Sequence, residues 1–183
     1  MQPKLAKPDR QRILRVAQGG IAVALAFVLS YFMLRIGFAG GGISFQMVPL
    51  LVLARIQGTG LAIGCGVVFG LLHLTQDFVV VHPLQMLLDY PLAFGALGLA
   101  GLLPRGRLGD VAGTILGCLV RYACHVLSGV IFIREFNPQL PGDPWLYSLG
   151  YNATYMVPST VACLLLVPLI VRQLVKSSGS DRQ

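Results

Sequence analysis

The residues with chemical capability are few and lie inside long apolar stretches. The stretch "LVRYACHVLSGVIF" (residues 119–132) contains Arg121 and His125, and "LQMLLDYPLAF" contains Asp89 with Tyr90 beside it. A charged side chain within a membrane span is costly and usually faces a cavity or a partner, so it indicates a functional site. An acid, a guanidinium and an imidazole in this setting can bind a polar solute or relay protons.

Helical spacing brings these groups together. At about 100° per residue, Arg121, His125 and Ser128 share one narrow face of a helix. Gln85 and Asp89 are four residues apart and share a face of another helix. A charged Asp89 at this depth needs a cation nearby. The sequence leaves two candidates open, a bridge to Arg121 or a cationic ligand.

The segment "PWLYSLGYNATYMVPS" adds an aromatic face. Tyr147, Tyr151 and Tyr155 recur every four residues, and Asn152 and Ser159 lie beside them on the same side of the predicted helix. Aromatic rings next to an amide suit a flat, polar or cationic ligand, through stacking, hydrogen bonds and cation–π attraction.

Several classes of chemistry are disfavoured. A nucleotide-binding P-loop needs Gly-Lys-Ser/Thr, and the three lysines follow Pro, Ala and Val. An intramembrane serine protease would need a nucleophile motif, which "GISF" around Ser44 lacks. We therefore predict no enzyme activity, no catalytic residue and no cofactor. Four cysteines without metal-ligand spacing predict core thiols and no metal site: Cys65, Cys118, Cys124 and Cys163.

The composition indicates an all-α integral membrane protein that must position these groups within the bilayer. Of the 183 residues, 55% are hydrophobic and 11% charged, with a mean hydropathy of +0.74. A span needs roughly 20 apolar residues. Six helices are predicted, four in uncharged runs and two interrupted once, by Asp89 and by Arg121: Val16–Leu34, Ile36–Ala54, Ile56–Gln76, Phe78–Pro104, Val111–Ile133 and Pro144–Val171.

The basic residues predict the topology. Most of them flank the spans on one side if both termini are cytoplasmic, as the positive-inside rule requires. The chain is then a single membrane domain (1–183), with a basic cytoplasmic N-terminus (1–15), a six-helix bundle (16–171) and a cytoplasmic tail (172–183). Cytoplasmic flanks against the anionic lipid bilayer account for the net charge of +7, so we expect no nucleic-acid partner.

The first helix carries small residues four apart. Gly20 and Ala24 form one such pair, and Ala22 and Ala26 form another. Small residues at this spacing let another helix approach closely. The sequence leaves open whether that helix belongs to this chain or to a partner protein.

Four segments resemble the thiamin-specific S components (substrate-binding subunits) of energy-coupling factor (ECF) transporters: "ISFQMVPLLVLA", "LLDYPLAFGALGLAG", "RYACHVLSGVIF" and "PWLYSLGYNATYMVPS". The resemblance implies a multi-pass subunit of the prokaryotic plasma membrane, with six helices and an outward-facing pocket for the vitamin. It also implies that ATP is hydrolysed elsewhere, by two cytoplasmic ATPase subunits acting through a transmembrane coupling protein.

The same resemblance assigns roles to residues. It implies that Asp89 occupies the acidic position beside Tyr90, although the family's side chain there is the longer glutamate. It further implies that His125, Tyr147 and Asn152 contact the ligand. To these the aromatic face adds Tyr151.

Two further positions follow from the family pattern. The resemblance implies that Ala22 and Ala26 dock on the coupling protein. Ile133 stands where the family commonly has a stacking tryptophan. Either Trp145 or Phe136 takes over the stacking, or the ligand is a relative of thiamin or is bound less tightly.

A different function remains open at this stage. Asp89, Arg121 and His125 could relay protons in a self-contained proton-coupled carrier of a small cationic or aromatic solute. The absence of an internal sequence repeat counts against such a carrier, because many secondary transporters are built from repeats.

Overall fold

The computed structural model describes residues 10–35, 42–76, 80–136, 138–139 and 142–180. Within these ranges the chain is almost entirely helical and has one antiparallel pair of two-residue strands, β1 (Leu34–Arg35) and β2 (Gly42–Ile43). The all-α fold is confirmed. The helices are α1 (Arg10–Ser30), α2 (Met47–Gln57), α3 (Thr59–His73), α4 (Pro83–Leu102), α5 (Arg107–Phe136) and α6 (Pro144–Ser180).

Four of these helices, α1, α4, α5 and α6, are long and apolar enough to cross a membrane. Helices α2 and α3 have 11 and 15 residues, short of the roughly 20 that a full crossing takes. The chain is thus a multi-pass membrane protein. Six crossings, cytoplasmic termini and a single domain over 1–183 stay predictions.

Most predicted boundaries differ from the structure by a few residues, with α1 beginning at Arg10 and not at Val16, and two differ by more. The second span was expected from Ile36, but α2 begins only at Met47. Strand β2 and residues 44–46 precede it, and residues 36–41 lie outside the described part of the chain. At the other end, α6 continues past Val171 to Ser180, because no proline or glycine interrupts the basic stretch that follows Val171 until Gly179.

Helix α2 forms the centre of the bundle. It contacts each of the other five helices, and its residues from Leu50 to Arg55 are all buried. A helix that is apolar all round is stable only when it is surrounded. The other five helices therefore surround α2 and bury it.

Helices α3 and α4 approach each other unusually closely. A Cβ atom added to Gly70 would lie 2.6 Å from the carbonyl oxygen of Tyr90, and one added to Gly66 would overlap the carbonyl of Phe94. Only glycine permits this contact between backbones. The two glycines thus fix the part of α4 that carries Asp89 and Tyr90.

Helix α4 changes its winding in the middle. It is α-helical over Pro83–Leu87, a π-helix over Leu88–Leu92, α-helical again over Ala93–Ala96 and a 3₁₀-helix over Leu97–Leu102. Pro91 lies inside the π turn and has no N–H to donate. Single π turns occur frequently at functional sites. Asp89 and Tyr90 both lie in this one.

A buried arginine ties together the ends of three helices. Arg55 at the end of α2 donates from Nε to Asp110 Oδ1 (2.8 Å) at the start of α5. Its Nη1 donates to the carbonyls of Ala100 (2.7 Å) and Leu103 (2.9 Å), and its Nη2 to that of Pro104 (2.8 Å). We refer to Arg55, Asp110 and these three carbonyls as the Arg55 cluster.

Candidate functional site: a polar and aromatic cavity

A cavity of about 120 Å³ lies between α4, α5 and α6, on the side of the bundle opposite the Arg55 cluster. Ser44 and Gln46, which precede α2, also line it. It brings together six of the seven residues predicted to bind substrate: Asp89, Tyr90, His125, Tyr147, Tyr151 and Asn152. Their convergence is an observation, and their contact with a ligand stays a prediction.

Asp89 accepts three hydrogen bonds. Gln85 Nε2 and Ser128 Oγ each lie 2.7 Å from Asp89 Oδ2, and His125 Nδ1 lies 3.0 Å from Asp89 Oδ1. Gln85 is positioned in turn by the backbone N–H of Val81, 3.2 Å from its Oε1. Three donors around a carboxylate fit its ionised form, which only accepts hydrogen bonds.

The bond to Asp89 assigns the two ring nitrogens of His125. Since the carboxylate accepts, Nδ1 carries the hydrogen, and in the neutral ring Nε2 is then an acceptor. Nε2 is buried and has no hydrogen-bond partner among the described residues. An unpaired buried acceptor is unfavourable, so this atom is suited to a donor from a ligand.

Asn152 is held in a second polar cluster on α6. Its Nδ2 donates to the Ser148 carbonyl oxygen (2.9 Å) and lies 3.2 Å from Ser148 Oγ, while its Oδ1 accepts from the Tyr155 hydroxyl. Ser148 Oγ in turn donates to the carbonyl of Val126 on α5 (2.9 Å). The amide is therefore fixed in orientation at the cavity wall.

The tyrosines of α6 form a continuous aromatic wall. The rings of Tyr147 and Tyr151 are stacked, with centroids 6.1 Å apart and an angle of 5° between planes. Tyr151 meets Tyr155 edge-on at 5.9 Å, and Tyr155 meets His125 edge-on at 6.1 Å. The spacing of four residues predicted this wall.

Arg121 lines the cavity but forms no bridge to Asp89. Its guanidinium carbon lies 3.6 Å from the centre of the Phe94 ring. Within the described part of the chain no ion pair joins it to a carboxylate, and its Nε and Nη1 atoms are buried without a partner. At 5% exposure it does not reach the protein surface. The Asp89–Arg121 bridge, one of the two alternatives that the sequence left open, is therefore not formed.

The prediction that Trp145 stacks on the ligand has no support in the geometry. Trp145 is half exposed and does not line the cavity, because it precedes Tyr147 by two residues and so points from almost the opposite side of α6. Ile133 does line the cavity and brings no ring. The side chain of Phe136 lies outside the described part of the structure.

The small residues of α1 divide between two faces. Ala22 and Ala26 are buried, on the side that packs against α2 and α3, whereas Gly20 and Ala24 are exposed. Within the isolated chain, Ala22 and Ala26 serve intramolecular packing. Their docking on a coupling protein stays a prediction.

Several lining residues were not predicted as site residues. Phe94 follows Asp89 by five residues and would face away from it on a regular α-helix. The π turn between them needs more residues per rotation, so both reach the same cavity. Met33 and His73 also line the cavity. Each stands in an apolar stretch of the sequence, so that its type and position indicate a packing residue.

This fold and cavity define a class, the multi-pass membrane proteins with a polar cavity between their helices. The family model described as "Thiamine transporter protein" matches residues 16–178. The chain belongs to that family.

Relatives of known description agree with this assignment. The chain is similar to the thiamine transporter ThiT of Bacillus subtilis, with 35% identity over 78% of this chain and 81% of the relative. It is 28% identical to the ThiT of Lacticaseibacillus paracasei, over 89% of each chain. The 35% identity to the Bacillus subtilis protein supports membership of the same family.

Solved structures support the fold. A structure of ThiT from Listeria monocytogenes aligns with a TM-score of 0.79 and 25% identity, covering 91% of this chain and 98% of that one. The S component of a bacterial ECF transporter aligns with a TM-score of 0.55 and 19% identity, over 94% and 99%. The resemblance to thiamin-specific S components is thus confirmed.

Proposed function

We propose that this chain captures thiamin as the S component of an ECF transporter in the prokaryotic plasma membrane. A transmembrane coupling protein and two cytoplasmic ATPase subunits would supply the energy for release inside. One observation carries the proposal: an ionised Asp89 and a buried, unpaired acceptor on His125 lie beside a wall of tyrosines in one cavity.

The acceptor on His125 suits the aminopyrimidine ring of thiamin. The exocyclic amine of that ring is a hydrogen-bond donor. His125 Nε2 is an acceptor that has no donor among the described residues. Asn152 holds its amide nearby through Ser148 and Tyr155. A site built to bond a polar group discriminates strongly against analogues without it, because its own buried group is then left unpaired.

The positive thiazolium ring of thiamin matches the other features of the cavity. Asp89 supplies a negative charge, and Tyr147 and Tyr151 present parallel rings that attract cations over their faces. Since Ile133 brings no ring and Trp145 lies outside the lining, these tyrosines take the stacking role.

Binding must enlarge the cavity. Its volume of about 120 Å³ is below the roughly 300–1,000 Å³ of most ligand pockets. His125 Nε2 is also covered by its neighbours. Movement of the lining side chains on binding would open space for two rings and bring this acceptor into contact with the ligand.

The decisive experiment is calorimetric titration of the purified chain in detergent. We expect saturable one-to-one binding of thiamin, and binding at least about tenfold weaker for the analogue whose pyrimidine amine is replaced by a carbonyl oxygen. Such an oxygen would face the lone pair of His125. Equal affinity for the two compounds, or no thiamin binding, would overturn the proposal.

A tyrosine substitution tests the aromatic wall. Tyr147→Ala removes a stacked ring, and we expect it to weaken thiamin binding by about tenfold. Tyr31→Ala is the matched control, because Tyr31 is exposed and does not line the cavity. If membrane vesicles containing this chain alone took up thiamin on a proton gradient, the proton-coupled carrier would replace the ECF assignment.

A further inference from the structure

Gln85 is a buried amide that bonds in two directions. Its exposed fraction is 2%, and it lies on the wall of the cavity. Its Oε1 accepts from the backbone N–H of Val81 (3.2 Å), and its Nε2 donates to Asp89 Oδ2 (2.7 Å). A backbone N–H only donates and an ionised carboxylate only accepts, so the two partners fix which end of the amide faces each of them.

The contact with Val81 holds the start of α4. Helix α4 begins at Pro83, and its N-cap His82 accepts at Nδ1 from the backbone N–H of Leu84 (3.1 Å). In a capping box, the side chain at the third helical position also reaches back to the N–H of the N-cap residue. Gln85 stands at this third position and bonds the N–H one residue earlier, that of Val81. The two side chains therefore cap α4 in a variant of that motif.

The cap also packs against the neighbouring helix. The ring of His82 stacks on that of Phe132 in α5, with centroids 5.0 Å apart and an angle of 24° between planes. Phe132 is buried and His82 is exposed, and neither of them lines the cavity. The start of α4 is thus held in part by contacts outside the cavity.

The carboxylate of Asp89 receives donors from two helices. Ser128 and His125 donate from α5, whereas Gln85 donates from α4 itself. Gln85 therefore sets where the carboxylate lies along its own helix. Since the same amide bonds the N–H of Val81, a shift of the carboxylate changes the geometry at the start of α4, and a shift there changes the position of the carboxylate.

We propose that Gln85 is a positioning residue that couples the start of α4 to the carboxylate that binds thiamin. Binding at Asp89 then orders residues 81–85, and an ordered start of α4 strengthens binding, because coupling between two sites is reciprocal. Gln85 exerts this effect through Asp89. The inference rests on the proposed function and adds to it a regulation of the same site by a segment outside the cavity.

A double-mutant cycle tests the coupling by calorimetry. Gln85→Met keeps the length of the side chain and removes both hydrogen bonds, so we expect thiamin to bind about three- to tenfold more weakly. The same change in an Asp89→Asn background should weaken binding less than about twofold, because a residue that acts through a charge loses its effect with that charge. Gln173→Met, at an exposed position near the end of α6, is the matched control and should leave binding unchanged.

Hydrogen exchange gives a second readout that a purely structural role of Gln85 would not produce. We expect thiamin to slow exchange of the Val81 amide at least about threefold in the wild type, because its bond to Gln85 Oε1 is then formed for more of the time. In Gln85→Met that amide has lost its acceptor, so thiamin should leave its exchange rate unchanged.

If Gln85→Met does not fold, the N-cap provides a test from outside the cavity. His82→Ala removes the acceptor of the Leu84 N–H and should weaken thiamin binding at least about twofold. His82→Asn keeps a capping acceptor and should bind thiamin as the wild type does. Equal affinity of the two variants would overturn the coupling.

Failure of the coupling is distinguishable from failure of the proposed function. If the wild type binds thiamin and Gln85→Met changes its affinity by the same factor with and without the charge of Asp89, only the coupling is wrong. The same holds if thiamin leaves the exchange of the Val81 amide unchanged in the wild type. If the wild type binds no thiamin, the proposed function is wrong and the coupling falls with it.

Discussion

Two arginines are buried to nearly the same degree, Arg55 at 4% exposure and Arg121 at 5%, and their surroundings differ completely. Arg55 donates to a carboxylate and three carbonyls at 2.7–2.9 Å. Arg121 rests on one aromatic ring with two of its nitrogens unpaired. Burial alone therefore does not distinguish a structural cation from a functional one.

The distinction lies in how many of the N–H groups are used. A buried ion pair whose donors are all satisfied holds its helices in one arrangement, and its loss leaves the partner uncompensated. A cation with unpaired N–H groups adds little to the stability of the folded protein, and these N–H groups are available to a ligand. The Arg55 cluster accordingly belongs to the scaffold, and Arg121 to the cavity.

The largest expected effect is on stability. Arg55→Met should lower the free energy of unfolding by about 3–5 kcal/mol, because Asp110 and three carbonyls lose their buried donor. Denaturant or thermal unfolding of the purified chain measures it, with Arg107→Met as the exposed control. A loss no greater than that of Arg121→Met would remove the contrast between the two arginines.

The next effect is on binding. Asp89→Asn keeps the shape of the side chain and removes its charge, so we expect thiamin affinity to fall by about 1.5–3 kcal/mol. Stability should change much less than in Arg55→Met, since the change lies in the cavity wall. Calorimetric titration measures the thiamin affinity, and unfolding of the same preparation measures the stability. Unchanged thiamin affinity would exclude Asp89 as the partner of the thiazolium.

The smallest effect concerns the residues that hold Asp89. Ser128→Ala removes one of its three donors, at 2.7 Å, and should weaken thiamin binding by about 0.5–1.5 kcal/mol. Ser177→Ala, on the exposed end of α6, is the control. An effect as large as that of Asp89→Asn would mean that Ser128 contacts the ligand itself.

Much of the fold followed from the sequence, because long uncharged runs predict helices wherever water is absent. This rule placed α1 and α6, and it placed α4 and α5 once a single charge was allowed in each. It failed over residues 42–46, a segment that is not helical, since hydropathy does not distinguish an apolar helix from an apolar strand. That segment instead carries Ser44 and Gln46 to the cavity.

The site was predictable where helical periodicity is regular. Tyr147, Tyr151 and Asn152 were found by a spacing of about four residues, and all line the cavity. Trp145 does not line the cavity, because its angle around α6 differs from that of the tyrosines. The alternative of a bridge from Asp89 to Arg121 is not realised, because Gln85, His125 and Ser128 bond to the carboxylate instead.

The π turn of α4 changes the direction in which the residues after it point from the helix axis, relative to the residues before it. Gln85 precedes the turn, Asp89 is its second residue and Phe94 follows it, and all three side chains line the cavity. Deleting one residue from Leu88–Leu92 would restore continuous winding and rotate one half by about 100° relative to the other. Asp89 and Phe94 would then no longer line the same cavity. The extra residue of the π turn thus sets the distance between the two ends of a ligand that binds in the cavity.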